Sequence, residues 1–150
     1  MGEKVVATNR RARHEYFILD RFEAGIALQG SEIKSIRAGQ ISLAEAYVRI
    51  DGREAWLEDA HIAPYEQASI FNHEPRRPRK LLLHSSEIRK LWNIVRQKGV
   101  TIIPLSVYLK DGKAKIEVAV AKGKKLYDKR AEIAKRDSLR EIERQYHQRK

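Results

Sequence analysis

The stretch that decides the fold is Val100-Thr101-Ile102-Ile103-Pro104-Leu105-Ser106-Val107-Tyr108-Leu109-Lys110-Asp111-Gly112-Lys113-Ala114-Lys115-Ile116-Glu117-Val118-Ala119-Val120-Ala121. Asp-Gly between two apolar runs is a hairpin signal, because the tight turn that matches strand twist needs positive φ at its central residues. After the turn, Lys113, Lys115 and Glu117 alternate with Ala114, Ile116 and Val118, which puts charge on one face and apolar side chains on the other. Pro104 lacks an N–H, so it marks an edge or a bulge in the first strand. A β-hairpin with one wet face is the centre of the reading.

Moving upstream, Ile88, Leu91, Trp92 and Val95 recur at helical spacing after Ser85-Ser86-Glu87 and stop at Gly99, so this segment is expected to be an amphipathic helix. Residues 64–80 hold three of the four prolines and read as a long surface loop, the kind of segment that carries function. Asp51-Gly52 signals a second turn, between a strand over 41–50 and another over 55–62. Gly30-Ser31 before Glu32-Ile33-Lys34-Ser35-Ile36-Arg37-Ala38-Gly39 predicts a short helix with Ser31 as N-cap and Gly39 as the C′ glycine. Tyr16 to Phe22 and Ile26 to Leu28 read as a hairpin, with Gly25 at the turn. Short strands in hairpins with inserted helices point to a small antiparallel barrel of the OB type, a mainly β fold with about three helices. Such barrels offer a face and loops to single-stranded or irregular nucleic acid.

Charge says what that face meets. The 150 residues carry 31 Lys and Arg against 20 Asp and Glu, a net +11, which favours polyanionic partners. Residues 122–150 hold eleven basic and five acidic side chains, so they carry +6 of that excess. The expected division is a barrel over 1–121 and a basic tail over 122–150. The tail has only a thin apolar stripe, Leu139, Ile142 and Tyr146, so it is expected to be disordered when free and helical when bound. Two further cationic clusters stand at Arg10, Arg11, Arg13 and His14, and at Arg76, Arg77, Arg79 and Lys80. Both have the character of phosphate contacts, the first with a solvated helix face as its alternative. Lys122-Gly123-Lys124-Lys125 lies beside Tyr127, which either stacks on a base or packs against the barrel.

Catalysis and metal binding find no support. There are no cysteines, and the five histidines form no His-x-His or His-x-x-x-His pair. No nucleophile elbow or phosphate-binding glycine loop occurs, so neither enzyme chemistry nor a cofactor is expected. The longest apolar runs are too short for a membrane span, and no signal-peptide core precedes the first arginines, which predicts a cytoplasmic protein. On their own, Glu23 reads as a turn residue, and Leu82 and Trp92 as core.

A resemblance adds to this. Asn9-Arg10-Arg11-Ala12-Arg13-His14-Glu15-Tyr16, Glu23-Ala24-Gly25-Ile26-Ala27-Leu28-Gln29-Gly30-Ser31-Glu32-Ile33-Lys34, Arg79-Lys80-Leu81-Leu82-Leu83 and Ala121-Lys122-Gly123-Lys124-Lys125-Leu126-Tyr127-Asp128-Lys129-Arg130 together resemble the small protein B family. These are the tmRNA-binding (SsrA-binding) proteins of bacterial ribosome rescue. The resemblance implies an OB-like barrel that holds the tRNA-like domain of tmRNA and carries it to stalled ribosomes, as an adaptor and not an enzyme. It implies that Asn9, Glu23, Leu82 and Lys115 belong to the tmRNA surface, joined by Arg11, Arg13, His14, Lys34 and Arg79. It further implies that Lys122, Gly123, Lys124, Lys125, Tyr127, Asp128, Lys129 and Arg130 enter the vacant mRNA channel at the small-subunit decoding centre, with Tyr127 contacting ribosomal RNA. Elongation factor Tu and alanyl-tRNA synthetase would be met through tmRNA. The runner-up is a general single-stranded nucleic-acid-binding OB module. A membrane-targeting helix is weaker, since the tail lacks a broad apolar face.

Overall fold

Strands β8 (Val100–Lys110) and β9 (Lys113–Gly123) meet at the expected turn, with Asp111 at φ 52° and Gly112 at φ 77°. These come from a computed structural model that describes residues 3–65, 72–97 and 99–124. Ahead of the hairpin lie β1 (Glu3–Thr8), α1 (Arg10–Glu15), β2 (Tyr16–Ile26), α2 (Gly30–Arg37), β3 (Ile41–Ser42) and β4 (Tyr47–Asp51). β5 (Glu54–Glu58), β6 (His61–Ile62), β7 (Arg79–Leu82) and α3 (Ser85–Val95) follow. The sheet runs β8-β4-β5-β7-β2-β9 and closes by pairing β9 back on β8, every pairing antiparallel. β1 adds a seventh strand on β8, outside the closed ring.

The predicted alternation fills this barrel. Ala114, Ile116, Val118 and Val120 of β9 are buried with Ile102 and Val107 of β8, Leu57 of β5 and Leu81 of β7, and α3 adds Ile88 and Leu91. α1 packs elsewhere, laying Ala12 against Ile103 and Ala121 in a second, smaller cluster. Pro104 sits at the expected bulge: the register of β8 on β9 slips between Pro104 and Ser106, which spares the ladder the missing N–H.

Several sequence expectations are corrected. Residues 16–26 form one strand and no hairpin, and Gly25 is not at a turn; it pairs with Lys115 on one side and Leu82 on the other. What it supplies is space, because a Cβ there would lie 3.3 Å from the Cβ of Leu82. α2 is capped by Gln29 in a capping box with Glu32, not by Ser31, while Gly39 (φ 75°) ends it as expected. The strand expected over 41–50 is broken into β3 and β4, and Trp92 is 38% exposed instead of core. Arg79 and Lys80 lie in β7, not in a loop. Lys122 and Gly123, expected in the tail, are the last residues of β9, paired with Phe17 and Tyr16. The behaviour expected of the rest of the tail falls at residues 125–150, outside the described residues. Among the described residues, no helix is long and apolar enough to cross a membrane.

Candidate nucleic-acid interface

Residues directly opposite one another on antiparallel strands share a face. That rule assembles a row across five strands: Val5 on β1, Tyr108 on β8, Lys115 on β9, Gly25 on β2 and Leu82 on β7. The row lies on the outside of the barrel, since its sequence neighbours Ala24, Leu81, Val107, Ala114 and Ile116 are buried in the core. Glu23, two residues before Gly25, stands on the same face next to Lys115. Leu82 is 55% exposed and Val5 57%, at the two ends of the row.

Glu23 is held in place. The Tyr108 hydroxyl donates to its Oε2, and the Lys110 ammonium lies 3.6 Å from the same oxygen. The tyrosine hydrogen bond, with Lys110 and Lys115 nearby, keeps the carboxyl below the ordinary glutamate range, against a smaller opposing effect of burial. Glu23 is therefore an anion and only accepts hydrogen bonds at neutral pH. Burial and the same carboxylate push the Tyr108 phenol upward, so it stays a donor. This face offers an acceptor at Glu23, a cation at Lys115 and an apolar shelf at Leu82.

A second group of expected residues gathers at the other end of β2 and β9. Asn9 precedes α1, its backbone N–H donating to Leu105 O (2.8 Å) and its side-chain Nδ2 to Pro104 O (3.0 Å). That amide ties α1 to the bulge with one of its two N–H donors; its Oδ1 is buried and has no partner among the described residues. Arg11, Arg13 and His14 are exposed on α1, as both phosphate contact and a solvated helix face require; among the described residues Arg11 makes one surface ion pair, with Glu15 (3.2 Å). Lys122 is exposed beside them, and Gly123 ends β9. Lys124 turns back, donating to Arg13 O (2.8 Å) with its ammonium 5.3 Å from the centre of the Phe17 ring. Lys34 is exposed on α2, its ammonium 5.6 Å from the Tyr65 ring centre.

Arg79 does not belong to the surface at all. It is fully buried, and its guanidinium donates to the fully buried Glu32 and to the carbonyls of Ala60 (2.9 Å) and Pro75 (3.1 Å). Arg77 donates to Glu32 as well (2.5 Å), Arg76 pairs with Glu45 (3.4 Å) and Lys80 with Glu54 (3.3 Å). Two members of the expected phosphate-binding cluster, Arg77 and Arg79, are instead held on the buried Glu32 of α2, and the other two keep surface ion pairs with acids from the β3–β4 connection and β5. Burial raises the Glu32 carboxyl, yet hydrogen bonds from Arg77, the Gln29 N–H and Arg79 leave it below the ordinary range.

Lys125, Tyr127, Asp128, Lys129 and Arg130 lie outside the described residues. The residues that sequence reasoning missed on the outer face are Val5, Tyr108 and Lys110. For the latter two the signal was present: counting back from a two-residue turn puts Lys110 opposite Lys113 and Tyr108 opposite Lys115.

A closed antiparallel barrel that sets an acceptor, a cation and an exposed leucine on one outer face, with more cations at one end, belongs to the class of small nucleic-acid-binding β-barrels. Comparison with known proteins makes this particular. The family model described as SmpB protein matches residues 6–148. The chain is 61% identical over 142 residues to an SsrA-binding protein of Desulforudis audaxviator, covering 95% of this chain and 93% of the relative. It is 56% identical over 142 residues to an SsrA-binding protein of Carboxydothermus hydrogenoformans, covering 95% of each. A chain from a solved structure described as "tmRNA-SmpB: a journey to the center of the bacterial ribosome" is similar at a TM-score of 0.67 and 49% identity, over 78% of this chain and 82% of that one. The chain belongs to the SmpB family.

Proposed function

We propose that this chain is an RNA-binding adaptor that binds the tRNA-like domain of tmRNA and delivers it to stalled bacterial ribosomes in the cytoplasm. The observation that carries this reading is the convergence of Glu23, Lys115 and Leu82 on one outer face from strands far apart in sequence. An acceptor-only carboxylate takes a 2′-hydroxyl or a base amino group, an ammonium takes phosphate, and an exposed leucine packs on a ribose or an unstacked base. Together they suit a folded RNA elbow read by shape. Arg11, Arg13 and His14 add sequence-independent attraction from α1. The carboxyl-terminal segment, from Lys125 through Arg130, is assigned to the vacant mRNA channel of the small subunit, where its positive charge meets ribosomal RNA. Elongation factor Tu and alanyl-tRNA synthetase meet the complex through tmRNA, and the chain itself catalyses nothing.

The test is an equilibrium titration at physiological salt against the tRNA-like domain of tmRNA, an elongator tRNA and poly-U, with the wild type and a Glu23→Ala/Lys115→Ala variant. A preference for the tRNA-like domain that the variant loses is expected. Equal affinity for all three ligands, unchanged in the variant, would replace the adaptor by a general single-strand-binding module.

A further inference from the structure

We infer that Tyr108 is a positioning residue for RNA recognition: its hydroxyl fixes the Glu23 carboxylate so that one oxygen is occupied and the other is presented to a hydrogen-bond donor on the RNA. The inference rests on reading this face as the RNA surface and says how its acidic member selects. Tyr108 is only 7% exposed, and its ring stands in the outer row between Val5 and Lys115, so its hydroxyl has a fixed place. The hydroxyl and Lys110 both act on Oε2 of Glu23. Among the described residues, no hydrogen bond reaches Oε1.

The consequence is selective. A free glutamate on a strand surface samples several rotamers, and ordering it on binding costs side-chain entropy. Tyr108 makes that ordering part of folding. It also prevents the carboxylate from turning wholly to the neighbouring lysines, which would leave it neutralised and occupied. A fixed anionic acceptor repels phosphate and accepts only a donor, which on RNA is a ribose 2′-hydroxyl or a base amino or imino N–H. The face thus discriminates through Glu23 and attracts through Lys115.

Tyr108→Phe keeps the ring and removes only the hydroxyl. It is expected to weaken binding of the tRNA-like domain about tenfold. The salt dependence should be unchanged, since no cation is removed. In a Glu23→Ala background the same substitution should cost nothing further, whereas a role through the barrel's packing would cost as much there as in the wild type and overturn the inference. Carbon chemical shifts of the Glu23 carboxyl against pH, in the free protein, give a second readout: its titration should move upward in Tyr108→Phe, and an unmoved titration counts against positioning. Full affinity in Tyr108→Phe with a large loss in Glu23→Ala would sink the inference alone. Full affinity in Glu23→Ala would sink the reading of the face with it. Single 2′-deoxy substitutions and inosine-for-guanosine substitutions in the RNA test a 2′-hydroxyl and a guanine amino group as the donor, by which of them removes the effect of Tyr108→Phe.

Discussion

Residues 10–14 and 76–80 are both dense in cations, yet the first cluster faces solvent, whereas Arg77 and Arg79 of the second turn inward on one buried acid and Arg76 and Lys80 keep surface ion pairs. Composition does not separate them. The difference is the Glu32 carboxylate, more than forty residues before Arg77 and Arg79, which α2 delivers into the barrel's flank. Among the described residues α1 receives no such acid, and its ion pair between Arg11 and Glu15 is a surface pair one helical turn long, worth roughly 0.3–0.5 kcal/mol. A cation held on a buried carboxylate is withdrawn from RNA, whereas one in a surface pair is not, and which of the two it becomes depends on topology, not on local charge density.

The comparison breaks first at its buried side. Arg79→Met leaves Glu32 buried with only the half-exposed Arg77 to neutralise it. Removing one partner of a buried pair costs about 3–5 kcal/mol, so urea unfolding should show a loss of that order. Converting both Glu32 and Arg79 to Met should restore much of it. If Arg79→Met were as stable as the wild type, the network would be a passive tie and the contrast with α1 would lose its energetic content. The pH dependence follows in sign. The folded Glu32 carboxyl lies below its unfolded value of about 4.5, so its contribution is present above that pH and is lost as pH falls through the folded value. A Glu32→Gln chain, less stable at neutral pH, should lose less stability on acidification than the wild type.

The exposed side answers to a different measurement. Arg11→Gln/Arg13→Gln should leave unfolding free energy within about 0.5 kcal/mol of wild type, as surface substitutions do. The same variant should weaken RNA binding several-fold and flatten the log–log salt dependence by about 0.7–0.9 for each phosphate that is no longer neutralised. An unchanged salt slope would remove α1 from the RNA surface and leave binding to the strand face alone.

Much of this was legible in the sequence where the signal was local. The two Asp-Gly turns, the C′ glycine Gly39, the bulge at Pro104 and the inward Ile116 and Val118 all follow from chemistry within a few residues, although α3 stops at Val95, short of Gly99. What was hidden depends on pairing between distant strands. Glu23-Ala24-Gly25 looks like a turn until β7 and β9 are placed on either side of Gly25, and Leu82 looks like core until its neighbour Leu81 is seen to take the inward position. Residues 3–8 carry no signal of their own and become a strand because β8 offers an unpaired edge beyond the bulge. Arg79 was misplaced for the same reason, since nothing near it announces Glu32. Glu23 and Leu82 were reached only through resemblance to a family, which is how a site assembled by register shows itself in sequence.

Lys124 tests the finest point of the comparison, because it is one cation of the basic segment that the fold uses internally. Its ammonium meets the Arg13 carbonyl near the end of α1, where the helix presents unpaired carbonyls and a partial negative charge. Lys124→Gln should therefore cost stability, about 0.3–1 kcal/mol for a cation at a helix C-terminus, read as a small shift of the thermal midpoint that added salt reduces. Lys122 is exposed two residues earlier at the end of β9 and, among the described residues, meets no helix end, so Lys122→Gln should leave the midpoint where it is. A cost in both variants would mean that the positive end of β9 stabilises the barrel generally. A cost in neither would mean that Lys124, like the cations of α1, is free for RNA, and that the boundary between barrel and tail lies before it.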